Sequence, residues 1–143
     1  MSVPEYRRKE GKFEVLNVAL GLCCYTLKIT GNEKIFLPEF KEKITNEINN
    51  CALRIYTDAW AANDIMVREG YEGPAALNRR LELQSSAISH CTRLLSLINI
   101  AKKVFHLKEK RMDYWTEQIV KTRSLLRQWK DSDKQRYKNM LGL

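Results

Sequence analysis

The sequence predicts an all-α protein, an antiparallel up-down-up-down four-helix bundle, and three observations carry that prediction. Apolar residues recur at alternating spacings of three and four in four successive segments, as the buried stripe of an amphipathic helix does. No stretch shows the apolar–polar alternation of a half-buried strand. Only six glycines and three prolines punctuate the 143 residues, which favours a few long elements over many short ones.

The first helix is expected over about 13–30, where Phe13, Leu16, Leu20, Cys23 and Leu27 form one stripe. Gly31 and Asn32 are its stop signals. The second is expected over 38–68. Pro38 suits a first helical turn, and Phe40, Ile44, Ile48, Cys51, Ile55, Ala59, Ala62 and Ile65 or Met66 follow as its inner face. "REGYEGP", with Gly70, Gly73 and Pro74, ends it. The third is expected over 75–107, with Leu77, Leu81, Ile88, Cys91, Leu95, Ile98 and Phe105 on one stripe. Gln84 and Lys102 fall on the same stripe, which predicts that its ends are less buried than its middle. Leu83, Ala87, Leu94 and Ala101 widen it and suit either the core or a subunit contact. The fourth is expected over 110–132, on Trp115, Ile119, Thr122, Leu126 and Trp129, with a basic C-terminal tail over 133–143. Short connections make residues 1–143 a single domain, long enough to bury a core without disulfides or metals.

The formal net charge of +8 is unevenly placed. Residues 1–100 hold 13 Lys/Arg against 12 Asp/Glu, whereas residues 101–143 hold 12 against 5. Such one-sided excess points to an anionic partner: nucleic acid, an acidic protein or an anionic membrane surface. No apolar run approaches the roughly 20 residues that cross a bilayer. "MSVPEYRRKEGK" has no apolar core behind its charges, so no secretory signal is expected. Cys23, Cys24, Cys51 and Cys91 lack zinc-ligand spacing and sit at apolar helical positions, as reduced cysteines do. A cytoplasmic location is the expectation.

Catalytic and metal chemistry finds little support in the residues. Neither His90 nor His106 has a glutamate three residues before it, as a di-iron carboxylate bundle requires. The pairs Glu39/Glu42 and Glu69/Glu72 are spacings a charged chain produces readily, and the second lies in a glycine-rich connection. His90 and Cys91 are adjacent in sequence, so on a helix they point about 100° apart and cannot act as base and nucleophile. His90 reads as a helix-flank histidine and His106 as a cation near a helix C-terminus. No Walker loop, G-x-G-x-x-G or G-x-S-x-G occurs. The expectation is a protein that is not an enzyme and needs no metal or cofactor.

Arg123, Arg127, Lys130 and Lys134 repeat the spacing of the apolar stripe, displaced by one residue. One residue is about 100° of rotation, so the basic row should run beside the buried edge, spaced to follow successive phosphates. Lys121 adds a neighbour, and Arg136 and Lys138 carry the charge into the tail. Lys102, Lys103, Lys108, Lys110 and Arg111 make a second cluster at the turn between the third and fourth helices. Arg79 and Arg80, near the start of the third helix, should lie beside the end of the fourth and join the tail cluster. The alternative is an ordinary solvated face, in which Glu117 pairs with Lys121, Arg127 with Asp131 and Lys130 with Asp133. Without an RRM, KH or helix-turn-helix signature, any binding should follow backbone and shape.

Several stretches resemble one known family: "YTLKIT" (25–30), "LPEFKEKITNEI" (37–48), "IYTDAWAAND" (55–64), "RRLELQ" (79–84), "CTRLLSLINIAKKVFHL" (91–107) and "YWTEQIVKTRSLLRQWKDSDKQRY" (114–137). Their order is similar to that of the accessory variability determinant (Avd) proteins of bacterial and phage diversity-generating retroelements. The resemblance spans residues 13–138. It implies a four-helix bundle that assembles as a homopentamer and binds the element's reverse transcriptase. It also implies binding of nucleic acid, chiefly template-repeat RNA and secondarily DNA, during mutagenic retrohoming. On the residue pattern and the resemblance together, Arg79, Arg80, Arg123, Arg127, Lys130 and Lys134 are the expected nucleic-acid contacts. A related four-helix family, encoded in intervening sequences of bacterial 23S rRNA genes, gives the alternative: an oligomeric protein-interaction scaffold without specific nucleic-acid binding.

Overall fold

The computed structural model describes the backbone of residues 5–143 and the side chains of residues 14–143. The Phe13 side chain of the expected first stripe and the side chains of the "MSVPEYRRKEGK" segment lie outside the described residues. Four long helices form the fold, α1 (Glu5–Thr30), α2 (Asn46–Asp64), α3 (Gly73–Phe105) and α4 (Glu109–Leu141), with no strand among the described residues. This is an all-α four-helix bundle. A 3₁₀ turn (Pro38–Phe40) and a π-helical stretch (Lys41–Thr45) lead into α2. The helices pack in a ring, α1 and α3 each lying against α2 and α4.

Hydrogen bonds between helices fix the neighbours. Thr30 Oγ1 donates to Asn49 Oδ1 at 2.8 Å, joining the end of α1 to the start of α2. Along α2 and α3 the partners run in opposite senses, Glu47 with Arg93 and Asp58 with Ser86. The same holds along α3 and α4, where Arg80 meets Asp133 and Thr92 meets Arg123. At the centre Trp115, wholly buried, donates Nε1–H to Thr26 Oγ1 at 3.0 Å. Phe36 and Tyr25 stand edge-on to its ring at 6.1 and 6.3 Å. The indole nitrogen thus finds the acceptor that a buried tryptophan needs.

The stripes of α2 and α4 lie where their spacing predicts: Ile48, Cys51, Ile55, Ala59 and Ala62, and Trp115, Ile119, Thr122, Leu126 and Trp129, are all buried. That of α1 differs. Leu16 and Cys23 are buried, but Leu20 and Leu27 are each 41% exposed. The inner row is Val15, Ala19, Leu22, Thr26 and Ile29. Both rows satisfy the same spacing, and the bond from Trp115 to Thr26 is made by the inner one. On α3, Ala87, Leu94 and Ala101 belong to the core. Gln84, expected at a less buried end, is fully buried because its Nε2 donates to Asp133 Oδ2 at 2.7 Å.

The helix limits also differ. α1 begins at Glu5 rather than near Phe13. α2 ends at Asp64, short of the expected 68, and Ile65 turns extended. Two causes act there. Arg80 Nη1 captures the carbonyl oxygens of Ala62 and Ile65 at 3.1 and 3.0 Å, groups left over at a helix end. Beyond it, Val67 packs with Ala76 and Leu77 in a second, smaller core. α3 starts two residues early, with Pro74 in its first turn, and stops at Phe105, where His106 adopts a left-handed cap (φ 52°). The expected tail 133–143 is helix to Leu141, closed by Gly142 (φ 72°). It stays helical because Asp133 is buried and because Tyr137 and Leu141 cover the second core.

Candidate nucleic-acid interface

Leu126 and Trp129 face inward on α4 and anchor its middle turns. About 100° round the helix run the four basic residues of the sequence reading. Arg127 and Lys134 are exposed, whereas Arg123 and Lys130 are half-buried. Arg123 Nη1 donates to Thr92 Oγ1 of α3 at 3.2 Å. The row therefore lies on the flank of α4 next to α3. Arg123 Nε is shut off from solvent without an acceptor among the described residues. That side chain is pinned over α3, and Arg127, Lys130 and Lys134 carry the freer charges.

The surface opposite the row explains why the charges stay available. No Asp or Glu occurs from Leu83 through Lys108, and none from Gln118 through Lys130. Ser85, Ile88 and Leu95 share one flank of α3 with Thr92, which holds Arg123, and all four are uncharged. The pairs of the solvated-face alternative do not close. Neither Glu117–Lys121 nor Arg127–Asp131 nor Lys130–Asp133 comes within 4.0 Å. Asp133 is already engaged, taking Arg80 and Gln84 on Oδ2 and Arg136 on Oδ1.

Two of the six expected contacts do not join the row. Arg80 is 1% exposed and sits between α2 and α4, with its guanidinium 5.3 Å from the Trp129 ring centroid and 5.5 Å from that of Tyr137. Its 2.8 Å pair with Asp133 is interior, so Arg80 holds the bundle end together and offers no charge to a surface ligand. Arg79 is exposed, but it falls seven residues before Ser86 and fourteen before Arg93. Both of those bond to α2, so Arg79 stands on the α2 flank of α3, away from the α4 row. Arg136, in the expected tail, pairs with Asp133 at 3.1 Å and lies 4.4 Å over the Tyr137 ring. Lys121 and Lys138, and the turn cluster Lys102, Lys103, Lys108, Lys110 and Arg111, are exposed.

Residues with chemical potential elsewhere are otherwise employed. Cys91 is fully buried, and burial pushes its thiol up to about 12 although the Arg123 and Arg127 charges pull the other way. A thiol so far from ionisation is a poor nucleophile. His90 Nδ1 lies 2.8 Å from the carbonyl oxygen of Ser86, while Ser86 donates its hydroxyl proton to Asp58 at 2.6 Å. The serine proton thus goes to the carboxylate and not to the imidazole. Among the described residues no group of three or more His, Cys, Asp or Glu is placed to hold a metal ion, and no helix is long and apolar enough to cross a membrane.

Sequence reasoning missed Thr92, which steers Arg123, and Asp133, which draws Arg80 inward. The acid-free stretches on α3 and α4 were the available signal for the first; nothing local marks the second. Comparison with protein-family models, with curated proteins and with solved structures finds no match to this chain.

Proposed function

We propose that this protein is a non-catalytic accessory subunit of a reverse transcriptase and binds RNA through the α3-side flank of α4. One observation carries the proposal: Arg127, Lys130 and Lys134, with Arg123 behind them, stand on one rigid helix, unpaired among the described residues, beside an α3 that has no acid from Leu83 to its end. Cations fixed in a row release condensed counterions from a polyanion without first breaking ion pairs of their own. Contacts from one flank reach phosphates rather than base edges, so affinity should follow charge and strand geometry more than sequence. The resemblance to Avd proteins supplies the rest of the reading: a cytoplasmic protein, a template-repeat RNA or its cDNA as ligand, and a reverse transcriptase as partner. It also supplies a homo-oligomer, pentameric in that family. Leu20, Leu27, Leu53 and the 58%-exposed Trp60 supply apolar surface on α1 and α2 for such assembly.

That apolar surface also favours the second reading, a protein-interaction scaffold. The two separate on one measurement. Reversing Arg127, Lys130 and Lys134 to Glu should weaken binding of a single-stranded RNA at near-physiological salt by at least about tenfold, because each lost phosphate contact lowers affinity. Melting temperature should be unchanged, since none of the three is an interior residue. Unaltered affinity in the folded variant rejects the assignment of this flank, and absence of RNA binding by the parent protein favours the scaffold.

A further inference from the structure

A second basic feature lies at the other end of α4, on the flank that faces α1. Tyr25, Lys28 and Ile29 of α1, Asn32 just beyond it and Arg111 of α4 line an open hollow of about 420 Å³, a volume within the usual range of small-ligand sites. Tyr114 of α4 packs on the lining residue Tyr25, with ring centroids 5.1 Å apart and the two planes at 66°. Tyr25 is held on its other side by Trp115, at 6.3 Å. The half-buried Tyr25 is thus a fixed wall, while Tyr114 is 50% exposed and presents ring surface to solvent.

Charge at the hollow is of one sign. Lys28 and Arg111 are exposed and have no carboxylate within 4.0 Å among the described residues. Arg111 lies near enough to oppose the upward shift that burial imposes on the Tyr25 phenol. Asn32 is committed to its own turn, its Oδ1 accepting from Lys34 N at 3.1 Å. What remains open is a pair of cations beside an aromatic ledge.

We infer that this hollow takes one nucleotide of a single-stranded nucleic acid, its phosphate between Lys28 and Arg111 and its base against the exposed face of Tyr114. The inference rests on the proposed RNA binding by α4 and adds to it a site where the strand must be unpaired. An aromatic ring gives every base a stacking surface whatever its sequence, and a base held in a duplex cannot reach it. Two cations without the ring would accept any anion; the ring selects for an anion that carries a flat, polarisable group. From Arg111 to Arg123 is about 18 Å of helical rise. A strand leaving the hollow crosses the back of α4 past Lys121, which is exposed, to reach the row on the other flank.

The test uses the full chain with a single-stranded RNA carrying 2-aminopurine and a blunt duplex of the same length. Tyr114→Ala, Tyr114→Phe, the exposed-residue variant Lys28→Gln/Arg111→Gln and the α4 variant Arg127→Glu/Lys130→Glu/Lys134→Glu are compared with the parent protein. Tyr114→Ala and Lys28→Gln/Arg111→Gln should each weaken the single strand about tenfold and leave duplex affinity unchanged. Tyr114→Phe should bind as the parent does, and quenching of the 2-aminopurine should persist in it and vanish in Tyr114→Ala. If both hollow variants bind the single strand normally while the α4 variant does not, the hollow is no nucleotide site and the α4 reading stands. If the α4 variant also binds normally, the parent reading fails first. A polyglutamate peptide bound more tightly than the RNA, and lost in the same hollow variants, would overturn the inference in favour of an acidic protein partner.

Discussion

Arg80 carries its charge into the interior because five partners wait for it there: Asp133, the carbonyls of Ala62 and Ile65, and the aromatic faces of Trp129 and Tyr137. A buried ion pair contributes little against an apolar replacement, but removing one partner strands the other charge. Asp133→Ala should therefore cost about 3–5 kcal/mol in urea unfolding, and the joint change Arg80→Met/Asp133→Leu should restore most of it. A second residue-scale prediction concerns Cys91. Its thiol ionises near 9.0 when unperturbed and at about 12 when buried. The native state keeps the proton that the unfolded chain loses, so this contribution is complete below about 9 and declines as pH rises toward 12. The stability of the parent protein should fall relative to that of Cys91→Ala between pH 8.5 and pH 10.5, measured by denaturant titration. A difference that stays flat or widens would contradict the burial of this thiol. Neither Arg80's fate nor Arg79's was legible in sequence. Two adjacent arginines give the same local signal, and only the neighbouring helices decide which one turns inward.

At the scale of elements, α4 ties the bundle end together through residues that sequence alone assigns to a tail. Tyr137 and Leu141 cover Val67 on the connection between α2 and α3 and Ala76 and Leu77 in the first turns of α3, and Gly73 fits beneath them. A Cβ at Gly73 would come within 2.5 Å of Arg68 O and 2.6 Å of a Leu141 methyl. Removing residues 133–143 should thus destabilise the whole protein by several kcal/mol, because it deletes the Asp133 acceptor and uncovers the second core. A dispensable tail would leave the melting temperature unchanged. Gly73→Ala should lower the melting temperature as well, less than the truncation does, since the leucine end can give way and the Arg68 carbonyl cannot readily. The core stripes of α2 and α4 were readable because a single face of each is apolar. That of α1 was ambiguous by one position, since Leu20/Leu27 and Ala19/Leu22/Thr26 fit the same spacing. The extent of α4 was hidden by its polar last turns, whose burial depends on partners elsewhere in the chain.

Over the whole molecule, two surfaces of different character stand on different helices. The basic flank belongs to α4 beside α3, while Leu20, Leu27, Leu53 and Trp60 expose apolar area on α1 and α2. A protein so arranged can bind a polyanion without covering the surface through which copies or partners would associate. Polyanion binding then has a measurable signature. Affinity for single-stranded RNA should fall linearly with the logarithm of salt concentration, and losing the three charges Arg127, Lys130 and Lys134 should flatten that slope by about 2. A slope shared by parent and variant would place the contacts on other residues.

By itself, the sequence determined the all-α class, the number of helices, the inner faces of α2 and α4, and the crowding of positive charge into the last third of the chain. These follow from local periodicity and composition, which each segment carries without reference to the others. Only the tertiary structure decided which cations remain on the surface. Asp133 withdraws Arg80 from solvent, the α2-facing row of α3 carries Arg79 away, and Thr92, on an α3 without acids from Leu83 to its end, leaves Arg127, Lys130 and Lys134 in the open. A charge's availability depends on what stands across from it, and that neighbour lies dozens of residues away along the chain.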